Sequence, residues 1–264
     1  MISIMLNKFF SKISKPIKIT FIAIFWLLVW QIVYLAVGSE YVFASPLSTV
    51  KRVISLALTG DFWVCIANSV WHVVLGFTLA LLISIPLAAL CYRAKFLQTL
   101  FSPIIKIIRA TPVASFIVLA LFWFKSGVAS FIALLMVVPL VYTNLSKGFE
   151  NVDSSLLEMA KVYNFSFFKK VRLIYIPSLM PYFVAACSVG LGFAFKASIA
   201  AEVIGLPRNS LGSEIYNAKI YIETTDLFAL TVVIILLSVI MEKVFMLLLN
   251  FLSKKILKGG VKDA

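Results

Sequence analysis

The chain has 264 residues, of which 62% are hydrophobic, with a mean hydropathy of +1.05 and a formal net charge of +13. Soluble domains of this length are about half apolar, so the composition excludes an ordinary soluble domain. Several apolar runs of about 20 residues instead indicate a polytopic α-helical membrane protein. The three cysteines, Cys65, Cys91 and Cys187, lack CxxC spacing, which argues against a disulfide or a metal site.

The apolar runs predict six membrane spans. The first follows four lysines, is too long for the core of a signal peptide and lacks a small-residue cleavage site, so we expect it to be retained. Asp, Glu, Lys and Arg are scarce inside the runs, as an apolar solvent requires. The predicted spans are 18–37, 64–90, 104–123, 128–148, 179–203 and 227–252.

The positive charges are distributed unevenly between the two membrane faces. With six spans, 18 of the 24 Lys and Arg residues lie on the same side as the N-terminus. The positive-inside rule therefore predicts that both termini are cytoplasmic. The charge is then explained by insertion and by anionic lipid of the bilayer, and a nucleic-acid partner is not expected.

An amphipathic helix is predicted on the outer face, between the first and second spans. Ser45-Pro46 is a helix-start signal. Its predicted apolar face comprises Val50, Val53, Ile54, Ala57 and Leu58.

The longest cytoplasmic segment, about 149–178, predicts a short helix, a tight turn and a second amphipathic helix. Ser155 and Glu158 have the spacing of a capping box, and the helix they begin should end near Tyr163. Asn164 then stands where a left-handed residue ends a helix. The second helix begins near Ser166 and enters the membrane through two prolines, Pro177 and Pro181.

This segment resembles the EAA motif, E-A-A-x3-G-x9-I-x-L-P, of membrane subunits of ATP-binding-cassette (ABC) importers. The matching pattern is Glu158-x-Ala160-x3-Asn164-x9-Ile174-x-Ile176-Pro177. Met159 replaces an alanine of the motif and Asn164 replaces the glycine; the second change is conservative, because Asn is the next-best left-handed residue.

The resemblance extends from about residue 44 to 252 and is to the branch that includes nitrate, sulfonate and taurine permeases. It is carried by short stretches in the order and spacing of that branch. They are Ala44-Ser45-Pro46, Asn68-Ser69, Gly76-Phe77, 108–112, Phe122-Trp123-Phe124, 200–205 and 225–229.

The resemblance implies an all-α, type I importer permease fold in one membrane domain spanning 1–264, located in the bacterial plasma membrane. It implies a homodimer that forms the solute pathway, a cytoplasmic ABC ATPase subunit and an extracytoplasmic solute-binding protein. Small anions, sulfonates and vitamin precursors are the solutes it suggests. The loop residues expected to couple to the ATPase are Ser155, Glu158, Met159, Ala160, Asn164, Ile174 and Pro177.

No cofactor is expected to bind this chain itself. It contains no GxxxxGK[ST] phosphate loop, so ATP is expected to be used by the partner ATPase. The chain is therefore not expected to be an enzyme.

Polar residues within the spans are candidates for the solute pathway or its gate. Lys196, toward the outer end of span 5, would attract an anionic solute or extend to the lipid surface. Asn68 and Ser69 would face the pathway or hydrogen-bond a neighbouring helix. His72, the single histidine, is more often structural in such a setting, and Glu202 matches a family stretch expected to support the outer gate. Thr111 and Pro112 complete the set, beside Arg109, which we interpret first as a cytoplasmic anchor.

Small residues recur along span 5 at Ala186, Gly190 and Ala194, and again at Ala197 and Ala201. Such spacing favours close helix packing. The family resemblance adds the possibility that this face lies at the dimer axis.

Two other classes compete with the importer. An ATPase-independent secondary transporter or channel would need ionisable residues at mid-span, inverted repeats or broken helices. A membrane enzyme would need a nucleophile–base pair or a metal cluster, which one histidine and three scattered cysteines do not supply.

Overall fold

The computed structural model describes residues 15–262, a range that is helical with short connections and contains no strand. These residues form two compact units, 15–59 with 217–233 and 60–216 with 234–262. The helices are α1 (Lys15–Val37), α2 (Pro46–Ala57), α3 (Gly60–Arg93), α4 (Lys95–Ala110), α5 (Val113–Leu121), α6 (Val128–Glu150), α7 (Ser154–Val162), α8 (Phe167–Lys170), a π-helical turn (Val171–Tyr175), α9 (Ile176–Gly205), α10 (Leu211–Ile220) and α11 (Thr224–Lys262).

Five of the six predicted spans are confirmed as continuous helices. Each is long and apolar enough to cross the hydrocarbon core of a bilayer, about 30 Å thick. The spanning segments are Thr20–Val37, Gly60–Arg93, Val128–Glu150, Phe167–Gly205 and Thr224–Phe251.

The third predicted span is wrong as a single helix. The chain bends by 102° between α4 and α5. Pro112 explains the break, because a residue before proline is driven out of the helical region, and Thr111 is accordingly extended at ψ 134°. The nine residues of α5 extend only about 14 Å, too short to cross alone.

The second unit is built around α6, which packs against both α3 and α9. Gly76 on α3 permits the closest approach, since a Cβ there would lie 2.3 Å from the carbonyl oxygen of Ser130 on α6. A side chain at Gly190 on α9 would meet Leu140 and Phe77. Close packing of α3 on α6 therefore requires a small residue at Gly76, and close packing of α9 on these two helices requires one at Gly190.

The small residues of span 5 are buried within the chain itself. Ala186, Gly190, Ala194, Ala197 and Ala201 all lie inside the packing of the second unit. Close helix packing is confirmed, and the dimer-axis expectation for this face is wrong, because the face is already covered by α3, α5 and α6 of the same chain.

In the first unit, α2 begins as predicted. Ser45 is its N-cap, and its hydroxyl accepts a hydrogen bond from the Ser48 amide at 3.1 Å. Val50, Ile54 and Leu58 are exposed along one side of α2, whereas Val53 and Ala57 of the predicted apolar face are half-buried. The position of α2 in a membrane interface stays a prediction, and the exposed stripe is the face that would enter the lipid.

Candidate functional site: a capped loop and a buried carboxylate

The loop helix α7 is capped by Asp153. Its carboxylate accepts hydrogen bonds from the amide of Ser155 at 2.9 Å and from the Ser155 hydroxyl. These bonds lower the pKa of Asp153 below its ordinary value. The predicted cap at Ser155 is wrong: the helix begins at Ser154, so Ser155 lies inside the first turn.

The predicted left-handed turn at Asn164 is confirmed. Asn164 has φ 51°, and the following amide, that of Phe165, donates to the carbonyl of Ala160 at 2.9 Å. The Asn164 amide donates to the carbonyl of Lys161 at 3.1 Å, which completes a Schellman motif. The helix therefore ends in a defined geometry and the chain reverses direction there.

The loop is anchored by a small buried cluster. Ala160 of α7 and Ile174 of the π-helical turn are buried together with Val152, and Leu157 and Phe165 pack against them. Two of the predicted loop residues, Ala160 and Ile174, therefore hold the loop helix against the helix that enters the membrane.

That entry helix is continuous from α8 through the π-helical turn into α9. The Ile176 amide donates to the carbonyl of Val171, five residues back, which is the π-helical bond. Pro177 is the second residue of α9 and directly follows the π-helical turn, so it lies inside this continuous helix. The rings of Tyr92 and Phe149, 4.8 Å apart and stacked, lie beside Tyr175 and tie this turn to the ends of α3 and α6.

The opposite side of α7 is exposed and partly apolar. Glu158 is exposed there, with Met159 at 40%, Val162 at 77% and Tyr163 at 71% of full exposure. Exposed apolar side chains grouped on a short rigid helix are typical of a surface that contacts another protein.

At the far end of α9, Glu202 is fully buried and uses both carboxylate oxygens. One oxygen lies 2.8 Å from His72 Nδ1, and the other accepts from the Ser69 hydroxyl at 2.7 Å and the Gly212 amide at 3.1 Å. The Gly212 amide lies in the first turn of α10, where the helix dipole favours a negative charge.

The Glu202 contacts join three helices at one point. Ser69 and His72 lie on α3, and the Ser69 hydroxyl also accepts from the Leu211 amide at 2.9 Å. Asn68 adds a bond from its side-chain amide to the carbonyl of Asn209 at 2.9 Å. For Ser69, hydrogen bonding to a neighbouring helix is therefore the arrangement observed, and the contacts of His72 are those of a structural residue.

The structure divides the predicted pathway residues between two places. Asn68 and His72 line a cavity of about 600 Å³ together with Lys125 and Arg208. Thr111 and Lys196 line a different cavity, and Pro112 stands at the bend beside it.

The position of Lys196 along its helix agrees with the expectation that it lies toward one end of span 5. Its side chain lines a cavity with Arg109 and Lys147, which the charge distribution assigns to the cytoplasmic side. The helix also continues for nine residues beyond Lys196. Lys196 therefore lies nearer the C-terminal end of α9, about two and a half turns inside it.

The sequence analysis did not predict α10, nor the amides of Leu211 and Gly212 that its first turn donates to Ser69 and Glu202. Ser210 accepts from the Ser213 amide at 3.2 Å, so Ser210 was a recognisable start signal for this helix. It also missed the pair of Arg52 with Asp226, whose side chains are bonded twice at 2.6 Å in the first unit. No local signal indicates that pair, because 174 residues separate its members.

The sequence matches a known protein family over residues 80–258, described as the inner membrane component of binding-protein-dependent transport systems. The chain is 26% identical over 204 residues to SsuC of Bacillus subtilis (strain 168), named as an aliphatic sulfonates transport permease protein; the match covers 76% of this chain and 74% of SsuC. It is 22% identical over 221 residues to TauC of Escherichia coli (strain K12), a taurine transport system permease protein, with 81% and 80% covered.

Two further comparisons agree. NrtB of Synechocystis, a nitrate import permease protein, is 25% identical over 218 residues, covering 74% of this chain and 78% of NrtB. An inward-facing structure of the MetNI methionine ABC transporter superposes with a TM-score of 0.57 at 17% identity, covering 75% of this chain and 96% of that one, and so shares the fold. The chain therefore belongs to the family of inner membrane components of binding-protein-dependent transport systems, and is a multi-pass ABC importer permease of the bacterial inner membrane.

Proposed function

We propose that this chain forms the solute pathway of an ABC importer as a homodimer, and that α7 and its turn couple it to a cytoplasmic ATPase subunit. A separate extracytoplasmic binding protein would deliver the solute. ATP is used by the ATPase, and this chain acts as the transport subunit.

The observation that carries the coupling role is the combination of a rigid helix with an exposed contact surface. The helix is capped by Asp153 at its start, closed by the Asn164 turn at its end and anchored through Ala160. Its exposed side presents Glu158 and Met159. A short element fixed at both ends transmits a rigid-body movement without absorbing it.

The solute we propose is a small anion of the sulfonate or nitrate type. The support is the names of the relatives, which concern aliphatic sulfonates, taurine and nitrate. Within a family of solute carriers the binding protein sets much of the choice, so the proposal is limited to the chemical class.

The coupling role is tested by reversing the charge at Glu158. We expect Glu158→Lys to reduce the amount of ABC ATPase that co-purifies with the permease at least tenfold, because a cation replaces the anion at the centre of the contact surface. Solute-stimulated ATP hydrolysis, measured per molecule of permease, should fall by the same factor as the amount of bound ATPase.

Glu214→Lys is the matched control, since Glu214 is also an exposed glutamate, at the start of α10. It should capture the ATPase as well as the wild type does. Equal capture by all three proteins would refute the coupling role of α7. Transport without any bound ATPase would instead favour the channel or secondary-transporter alternative.

A further inference from the structure

A cavity of about 620 Å³ in the second unit is lined by residues of α4, α5, α6 and α9, with Thr111 at the bend. Three of its lining residues are cations, Arg109, Lys147 and Lys196, and none is Asp or Glu. Among residues 15–262 the ion pairs are Arg52 with Asp226 and His72 with Glu202. The three cations therefore face the cavity without a carboxylate partner in the described part of the chain.

The depth of Lys196 makes this arrangement informative. It lies nine residues, about 14 Å, from the end of α9 and twenty residues, about 30 Å, from its start. A charge placed inside a membrane span requires water, a partner or a ligand. Lys196 is exposed and no carboxylate of residues 15–262 pairs with it, so water or a ligand in the cavity would meet this requirement.

The bend between α4 and α5 supports a hydrated cavity. Thr111 and Pro112 both have extended backbone, so the helical hydrogen-bond ladder is interrupted there. Irregular backbone at membrane depth is tolerated where it is buried in protein or lines a water-filled cavity. Thr111 contributes to the cavity wall, which fits the second case.

Most neutral donors of the wall are already used within the helices, and only the second N–H of the Asn144 amide remains. The hydroxyls of Thr111 and Thr143 donate to the carbonyls of Ile107 and Pro139, at 2.8 and 2.6 Å. The amide of Asn144 donates to the carbonyl of Leu140 at 2.9 Å. Charge-bearing donors therefore come from the three cations, and the ligand they select is an anion.

We propose that this cavity is an anion-binding site inside the membrane domain, in which Lys196 determines the selection for negative charge. Arg109 and Lys147 extend the positive field from Lys196 along the cavity wall. The ligand is a small oxyanion. That this oxyanion is the transported solute rests on the proposed function, whereas the site itself rests on the cavity.

The field in the cavity is measurable without any partner protein. Cys65, Cys91 and Cys187 are replaced by Ala, and Thr143→Cys places one thiol in the wall. The rates of its reaction with an anionic and a cationic methanethiosulfonate are measured in nanodiscs of neutral lipid, each divided by the rate with free mercaptoethanol. We expect the anionic reagent to be favoured at least tenfold, and Lys196→Gln to lower this preference by about tenfold.

Lys196→Arg should retain the preference, because it retains the charge. Thr59→Cys, an exposed position at the end of α2, is the control and should show no change with Lys196→Gln. Ala200→Cys provides a second thiol in the same wall. Size-exclusion chromatography verifies that each variant is monodisperse, so that a labelling result is assigned to the folded protein.

Two further conditions distinguish the source of the anion. Added methanesulfonate should slow labelling at Thr143→Cys if free oxyanions bind in the cavity. If lipid phosphate were the ligand, anionic lipid in the nanodisc would abolish the anionic preference and methanesulfonate would give no protection; this result would overturn the proposal.

Equal rates for both reagents, or the absence of labelling at both wall positions, would also overturn the proposal, since the cavity would then be neutral or dry. None of these measurements uses an ATPase. If labelling shows no anion site but the ATPase still co-purifies, the coupling role of α7 stands and the anion site fails. If labelling shows the anion site but no ATPase co-purifies, the anion site stands and the coupling role fails.

Discussion

Glu202 illustrates how a membrane protein accommodates a carboxyl group at a fully buried position. Burying an unpaired carboxylate is very unfavourable, and removal of one partner from such a group leaves an uncompensated charge. Here Ser69, His72 and the amide of Gly212 supply the compensation. The cost of burial is offset by contacts that also fix α3 and α10 against the end of α9.

Gly212 is required at its position by the closeness of this contact. A Cβ at residue 212 would lie 2.3 Å from the Cβ of Glu202 and 2.7 Å from the Val203 amide nitrogen. We expect Gly212→Ala to destabilise the protein by about 2 kcal/mol, because α10 must shift away from the carboxylate. Thermal unfolding in detergent, followed by intrinsic fluorescence, measures this loss.

Gly192→Ala is the control for the Gly212 variant. Gly192 lies in the interior of α9, and no neighbouring side chain or helix comes within 4 Å of the position that a Cβ would take, so alanine fits there without a clash. This substitution should leave stability unchanged or raise it by up to about 1 kcal/mol, the helix propensity difference. Equal losses in both variants would contradict the packing role assigned to Gly212.

For single residues, local sequence signals predicted the left-handed turn of the loop but not the N-cap of its helix. Asn164 was predictable, because the left-handed position after a helix accepts few residue types. The N-cap was missed because Asp153, Ser154 and Ser155 are adjacent and each is a favourable N-cap type. The choice between them depends on where the backbone turns, which the loop anchor at Ala160 determines.

Among the elements, α2 is held to the start of α11 by the bidentate pair of Arg52 and Asp226. The hydrogen bond from Arg52 to Asp226 raises the pKa of Arg52, with burial acting in the opposite direction. The pair lies partly in solvent, with Arg52 at 40% side-chain exposure, so its contribution is modest.

We expect a double-mutant cycle of Arg52→Ala and Asp226→Ala to give a coupling of about 1 kcal/mol in thermal stability, falling at high salt. Arg208→Ala, paired with Asp226→Ala, supplies a cycle that should show no coupling. A coupling near zero in the first cycle would mean that apolar contacts alone hold this part of the first unit. One such contact is that of Phe43, just before α2, with Phe228, whose ring centroids are 4.9 Å apart.

The helices that cross the membrane were predictable from hydropathy because an apolar solvent leaves little choice of composition or of backbone. The failure at residues 104–123 has the same origin. Apolarity shows that a segment lies among lipid or protein, but it does not show whether the segment is straight. The signal at the break was Thr111-Pro112, because the residue before a proline disfavours the helix; yet Pro86, Pro103 and Pro139 lie inside continuous helices, so the dipeptide alone does not predict a break.

For the whole molecule, the charge distribution predicts that the α6–α7 connection is cytoplasmic and that the end of α2 is outside. In a cysteine-free background, we expect Thr59→Cys to react with a membrane-impermeant maleimide in intact spheroplasts. Asn151→Cys should react only after the membrane is opened. Both positions are exposed, so the difference reports the side of the membrane.

Labelling of Asn151→Cys in intact spheroplasts, with protection of Thr59→Cys, would reverse the predicted orientation. It would also place α7 where no cytoplasmic ATPase reaches it. The same pair of variants therefore examines the topology on which the coupling proposal depends.

The fold class was predictable from the sequence, whereas the grouping of polar residues was not. Composition and the loop pattern were sufficient for an all-α, multi-pass permease. Which polar residues share a cavity depends on contacts between distant helices, as with Lys196 of α9, Lys147 of α6 and Arg109 of α4. Their positions in the sequence do not indicate that they share a cavity.

The uninterrupted helix from Phe167 to Gly205 has a mechanical consequence. Its 39 residues form a rod about 58 Å long, with the loop anchor at one end and the Glu202 contacts near the other. A rod of this length is a lever: a tilt of about 10° at the loop displaces the far end by about 10 Å. A small angular change at the loop is thereby amplified into a large displacement at the far end of the helix.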